Sequence, residues 1–159
     1  MILLKFETAI NGESTVAEHD KWINLDSVQF GVGRSISMVG GGGDRETSNP
    51  SFSEVTCTKS MDVSSSEIMM QATCGKSLGK AEIHFIQTGG ADVKGQAYCK
   101  VELEEAIVSA YSASSGGERP SESFSLNFTK ISYQYDKFDG DKVTAGTAKK
   151  WDLEKNEKY

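Results

Sequence analysis

The sequence predicts a mainly β protein: a compact β-barrel or two-sheet sandwich of about seven or eight strands with one short α-helix, about Ser64–Cys74. Three observations carry this. Ala81, Ile83 and Phe85 alternate with Glu82 and His84, and Ala97, Cys99, Val101 and Leu103 alternate with Gln96, Lys100, Glu102 and Glu104, the period of half-buried strands. Twice a long run changes the parity of its apolar positions, from Ile23 and Leu25 to Val28 and Phe30, and from Phe124, Leu126 and Phe128 to Ile131, Tyr133 and Tyr135. Because side chains alternate faces, each change requires an extra residue or a bend, expected near Asp26-Ser27 and at Thr129-Lys130, as in a sheet that turns a corner. Third, only one segment carries helical signals.

That segment is Asp62–Gly75. Ser64 with Glu67 three residues on spells a capping box, Glu67 suits the positive end of the helix dipole, and Gly75 suits a left-handed C′ position. Ile68, Ala72 and either Met69 or Met70 supply an apolar face. About three turns are not stable alone in water, so the helix must dock on the strands.

In chain order, Ile2–Phe6 is the first strand and Trp22–Phe30 the second; Val32, Ile36 and Met38 carry a third. The segment 40–50, with four consecutive glycines at Gly40, Gly41, Gly42 and Gly43 followed by Asp44 and Arg45, is longer than a hairpin needs and reads as an extended loop. Ser51–Ser60 is the next strand, with Val55 and Cys57 inward, and it delivers the chain to the helix. The Ala81 strand turns back near Gly89-Gly90, the Ala97 strand continues through Ile107–Tyr111, and a Ser/Gly loop precedes the last long strand. A polar stretch follows from Asp136, and 151–159 is a short charged tail anchored by Trp151. With no repeat or linker, 1–159 reads as one domain.

The 159 residues carry a net charge of −6, and the basic residues are interleaved with acids. A phosphate-backbone binder needs a basic stripe, so nucleic acid is not an expected partner. No run is long enough to span a bilayer as a helix, and the N-terminus lacks a signal-peptide pattern, so membrane insertion is not expected and export would use a route without a cleaved leader. Cys57, Cys74 and Cys99, odd in number and widely spaced, read as buried free thiols. No His/Cys/Asp cluster has metal-ligand spacing, the glycine run lacks a phosphate loop's Gly-Lys-Ser/Thr ending, and Ser14, His19 and Asp20 have no nucleophile context. His84 reads as a solvent- or interface-facing side chain. No catalytic, metal or cofactor site is therefore expected, and the residues point to a binding or assembly module.

Gly12-Glu13-Ser14 followed by His19 and Trp22-Ile23, the strand ending Val28-Gln29-Phe30-Gly31, and the glycine run followed by Thr58-Lys59, Asp62 and Ser64-Ser65 occur in that order. Val108-Ser109-Ala110-Tyr111, Gly116-Gly117 with Arg119-Pro120 and Glu122, Ser125–Phe128, and Trp151-Asp152-Leu153 with Asn156 complete the set. Taken together, the series resembles the haemolysin-coregulated protein (Hcp) family, the inner-tube subunits of type VI secretion systems. Phe30 stands where many members carry Trp, and 136–150 has no clear counterpart. The resemblance implies a homohexameric ring, stacked rings within a contractile sheath, a spike at the tip and effector proteins in the lumen. It also implies assembly in the cytoplasm followed by secretion. On that reading the length suits a plain tube subunit, Gln29 is a candidate lumen-facing residue, and Gly40–Arg45 is the candidate ring-stacking loop. The alternative is a secreted monomeric binding module or effector that forms no tube.

Overall fold

The computed structural model describes residues 1–38, 45–87, 95–139 and 142–159. In chain order, β1 (Ile2–Phe6), β2 (Ile23–Leu25) and β3 (Ser27–Gln29) precede two short strands, β4 (Val32–Gly33) and β5 (Ile36–Met38). β6 (Arg45–Thr47), β7 (Ser51–Phe52) and β8 (Val55–Ser60) lead into α1 (Ser65–Cys74). The second half holds β9 (Ala81–Gln87), β10 (Gln96–Glu104), β11 (Ile107–Ser114), β12 (Ser121–Asn127) and β13 (Lys130–Tyr135). The last strands are β14 (Lys137–Asp139), β15 (Lys142–Thr144) and β16 (Lys149–Asp152).

Two antiparallel sheets face each other: a six-stranded sheet, β16-β13-β10-β9-β1-β2, and a four-stranded sheet, β11-β12-β8-β3. The architecture is thus a sandwich, and the described strands close no barrel. β4-β7, β5-β6 and β14-β15 are separate ribbons. Both parity changes in the sequence mark places where the chain leaves one sheet for the other. At Asp26, whose N–H donates to Thr58 O at 2.8 Å, β2 of the larger sheet gives way to β3 of the smaller. At Phe128-Thr129 the chain passes from β12 to β13, and Thr129 N–H donates to Glu104 O at 3.0 Å. A third corner, at Glu105 with φ 52°, splits the run expected to continue from the Ala97 strand into β10 and β11. The corners raise the strand count to ten in the two principal sheets. Sandwiches commonly use such sheet-switching strands at their corners.

The core lies between the sheets. Leu4, Ile23, Ile83, Val101 and Leu103 from the larger sheet meet Val55, Cys57, Phe124 and Leu126 from the smaller. The larger sheet is covered on its other face too, by residues 10–22, where Trp22 packs on Leu3 and Ile86. That covering segment folds back tightly, Gly12 N–H donating to Lys21 O at 2.8 Å and Ser14 N–H to Trp22 O at 3.0 Å. A Cβ at Gly12 would lie 2.4 Å from Trp22 O and 2.5 Å from the Ile23 Cα, so only glycine fits there.

In the helix, the docked residue is Ile68, fully buried, with Ala72 half-buried; Met69 and Met70 are both exposed, against the expectation that one would pack inward. The capping box does not form. Ser64 already has helical dihedrals, φ −80° and ψ −15°; its hydroxyl donates to Asp62 Oδ1 and accepts no bond from the helix's first amides. At the other end Gly75 is left-handed, φ 65° and ψ 28°, and its N–H donates to Gln71 O at 2.9 Å, as expected for a C′ glycine.

Candidate assembly surfaces

The four-stranded sheet has two unlike faces, and the register sorts its paired rows between them. Facing the core are the rows Val28–Cys57–Phe124–Tyr111, Val55–Leu126–Val108 and Lys59–Glu122. Facing outward are Ser27–Thr58–Ser123–Ser112, Gln29–Thr56–Ser125–Ala110 and Ser60–Ser121–Ser114. These outward rows contain no charged residue and almost every side chain ends in a hydroxyl, in a chain that is 25% charged overall. Gln29 therefore lies at the margin of a continuous polar, uncharged surface. Ser27 and Thr58 hydroxyls hydrogen-bond to each other, and Thr56 meets Ser125 at 3.4 Å. Glu54 stands beside this face, accepting a bond from Ser109 Oγ at 2.6 Å. The sheet ends at β3 on one side and β11 on the other, and no further described strand pairs with either. Two open edges of opposite sides are what a head-to-tail contact between copies requires.

Behind that sheet, a buried ionic network ties it to the helix. Lys59 is fully buried; its Nζ lies 2.7 Å from Glu122 Oε2, 2.7 Å from Asp62 Oδ1 and 3.0 Å from Ser65 Oγ. Ser65 Oγ donates to Glu122 Oε2 at 2.9 Å and accepts the Asp62 N–H at 2.9 Å, so the first helical residue is held from both sides. Tyr111 OH donates to Glu122 Oε1 from the neighbouring strand; burial and the adjacent carboxylate push its pKa up to about 12. Sequence reading missed this network, yet the signal was present. Lys59 continues the inward parity of Val55 and Cys57, and Glu122 that of Phe124 and Leu126.

Beyond β3, the β4–β7 ribbon and strands β13 and β16 of the larger sheet enclose a cleft of about 620 Å³. Phe30, Val32 and Phe52 line one wall, Ile131, Tyr133 and Trp151 the other, and Lys149, Lys150 and Lys158 stand around it. Large apolar groups are left in the open here: Val32 is 61% and Tyr133 45% exposed. On the opposite side, α1 packs against β11 and turns Met69 (43% exposed) and Met70 (48%) to solvent.

The sequence matches the family model described as type VI secretion system effector, Hcp, over residues 3–135. The chain belongs to the Hcp family. Among solved structures, a type six secretion system protein aligns at 26% identity with a TM-score of 0.89, covering 99% of this chain and 98% of that one. Hcp1 from Salmonella typhimurium aligns at 20% identity and TM-score 0.79, with 99% and 97% covered. Hcp1 from the E. coli EAEC 042 pathovar aligns at 19% and 0.73, with 96% of each chain covered. At these identities the last two establish shared fold alone. No curated protein matches the sequence.

The remaining residues of interest fall elsewhere on this Hcp-family chain. His84, expected to face solvent or an interface, packs within the molecule. It is half-buried under the 10–22 segment, its Nδ1 2.9 Å from His19 Nε2, with both rings packed on Trp22 at centroid distances of 4.7 and 4.6 Å. Burial first, then the neighbouring His19 and Lys100, depress its pKa to about 4. Ser14 is buried, and its Oγ accepts the Val16 N–H at 3.3 Å, a turn contact that leaves the three residues Ser14, His19 and Asp20 without a nucleophile–base pair. Among the described residues no group of three or more His, Cys, Asp or Glu could hold a metal, and no helix is long and apolar enough to cross a membrane. Of the three thiols, Cys57 and Cys99 are buried, but Cys74, expected inside, is exposed because it falls in the last turn on the solvent side of α1. Burial pushes the Cys57 thiol up to about 12, leaving it unreactive. Gly40, Gly41, Gly42, Gly43 and Asp44 lie outside the described residues; Arg45 opens β6, opposite Met38.

Proposed function

We propose that this chain is the inner-tube subunit of a type VI secretion system, six copies closing into a ring whose lumen carries effector proteins. The observation that carries this reading is the four-stranded sheet, with an uncharged hydroxyl face and an open edge on each side. Pairing β3 of one copy with β11 of the next continues the sheet from protomer to protomer, and six repeats of four strands make a closed band of about 24 strands, wide enough to enclose an aqueous channel. The outward rows then line the lumen, Gln29 among them. A lining of uncharged and mostly hydroxyl-bearing side chains neither repels a passing polypeptide nor holds it fast.

Rings stack through Gly40–Arg45, whose glycine-rich and polar composition suits wet, reversible contacts. The tube forms in the cytoplasm within the contractile sheath, carries the spike at its tip, and is secreted on contraction. The role is structural, with no catalysis and no cofactor. Native mass spectrometry tests the ring: particles of six protomers are expected, and a species that stays monomeric at tens of micromolar overturns the reading. Deleting Gly40–Arg45 is expected to leave the six-protomer mass intact and to abolish stacking; normal tubes from that variant would remove the loop from the account.

A further inference from the structure

We infer that α1 of one protomer seats its Met69–Met70 face in the cleft beside β3 of the next, so that the ring is closed by a side-chain lock as well as by sheet pairing. The inference rests on the ring reading and adds a second, separately testable contact to it. Position comes first. The helix packs on β11, one edge of the four-stranded sheet, and Phe30 and Val32 of the cleft directly follow β3, the other edge. A head-to-tail pairing of β3 with β11 therefore brings the edge that carries the helix of one copy against the edge that carries the cleft of its neighbour.

Chemistry matches as well. The cleft is apolar at its base and edged by lysines, and no aspartate or glutamate side chain lines it among the described residues. The helix offers two exposed methionines and Glu67 in its first turn, with no basic residue in its last. Methionine side chains adapt to an irregular apolar hollow and pack well against aromatic rings such as those of Trp151 and Tyr133. Glu67 and Met70 lie three residues apart, and Met70 and Cys74 four apart, so the acid, the anchor and the thiol share one stripe. Both surfaces are wasteful on a lone molecule: each leaves large apolar groups in water, and docking buries both at once.

Cys74 supplies the probe, because Cys57 and Cys99 are buried. Chains carrying Cys74→Ser with Lys149→Cys are mixed with unaltered chains and treated with a short bis-maleimide. The expected result is a covalent pair containing one chain of each kind, formed through Cys74 of one and position 149 of the other. Met70→Asp, at an exposed position, is expected to unfold at the same temperature as the parent and to weaken assembly by about tenfold or more, the usual loss at a central interface anchor. Six-protomer particles that give no mixed pair, or that tolerate Met70→Asp unchanged, overturn the helix-in-cleft contact and leave the ring standing. Absence of any assembly in the parent protein overturns both.

Discussion

A single imidazole shows how burial sets chemistry in this protein. His84 lies between Trp22, His19 and the charged row of the larger sheet, with Glu82 Oε2 3.8 Å from its Nε2 and with Lys100, Glu102 and Lys80 also acting on it. Desolvation outweighs the acids and holds its pKa near 4, below the ordinary value of 6.5. Between those two values the unfolded chain binds a proton that the folded chain refuses, so stability falls as pH falls through that window. After allowance for solvent screening at a partly open site, the loss from pH 7 to pH 5 attributable to His84 is about 1 kcal/mol. Urea unfolding at both pH values tests this: His84→Gln is expected to lose about that much less stability on acidification than the parent protein, and equal losses would contradict it. The alternation around His84 was legible in the sequence and placed it correctly on the face opposite Ile83 and Phe85. What covers that face was not, because the segment of residues 10–22 returns to it through backbone bonds of Gly12 and Ser14 that no periodicity encodes.

At the scale of elements, α1 depends on its neighbours for its existence. Burying Ile68 contributes about 2 kcal/mol, far short of the cost of ordering ten residues. The link to the sheet through Lys59, Asp62, Ser65 and Glu122 fixes where the helix starts. Lys59→Met removes the cation that bridges two enclosed carboxylates, Asp62 and Glu122, and is expected to destabilise the fold by about 3–5 kcal/mol, read from the urea midpoint. A change below about 1 kcal/mol would show that the carboxylates find other partners, contrary to the network described. Local signals served the helix unevenly. Gly75 behaves as its sequence position suggests, but Ser64 is drawn to Asp62, an acceptor two residues away that competes with the cap. The strands behave similarly. A parity change announces that a ribbon changes face, as at Asp26 and Thr129, but whether it bulges or enters the other sheet depends on distant partners such as β8 and β10.

For the whole molecule, the decisive feature is asymmetry: one flank of the smaller sheet ends in β3 and a lysine-edged cleft, the other in β11 and a methionine-bearing helix. Unlike flanks favour rotation over two-fold pairing, and rotation that closes gives a ring. Gln29 was readable from the sequence as a polar outward residue, but the uncharged face to which it belongs emerges only when β3, β8, β12 and β11 are set in register. The acidic balance of the chain argues against a nucleic-acid partner and says nothing about which flank meets which. Electron cryomicroscopy of the assembled particle tests the central claim most directly. The account predicts a closed six-fold band in which β3 of each protomer is hydrogen-bonded to β11 of the next, with Thr56, Thr58 and Ser123 directed into the channel. A ring that turns those hydroxyls outward, or one whose protomers meet through other strands, would contradict it.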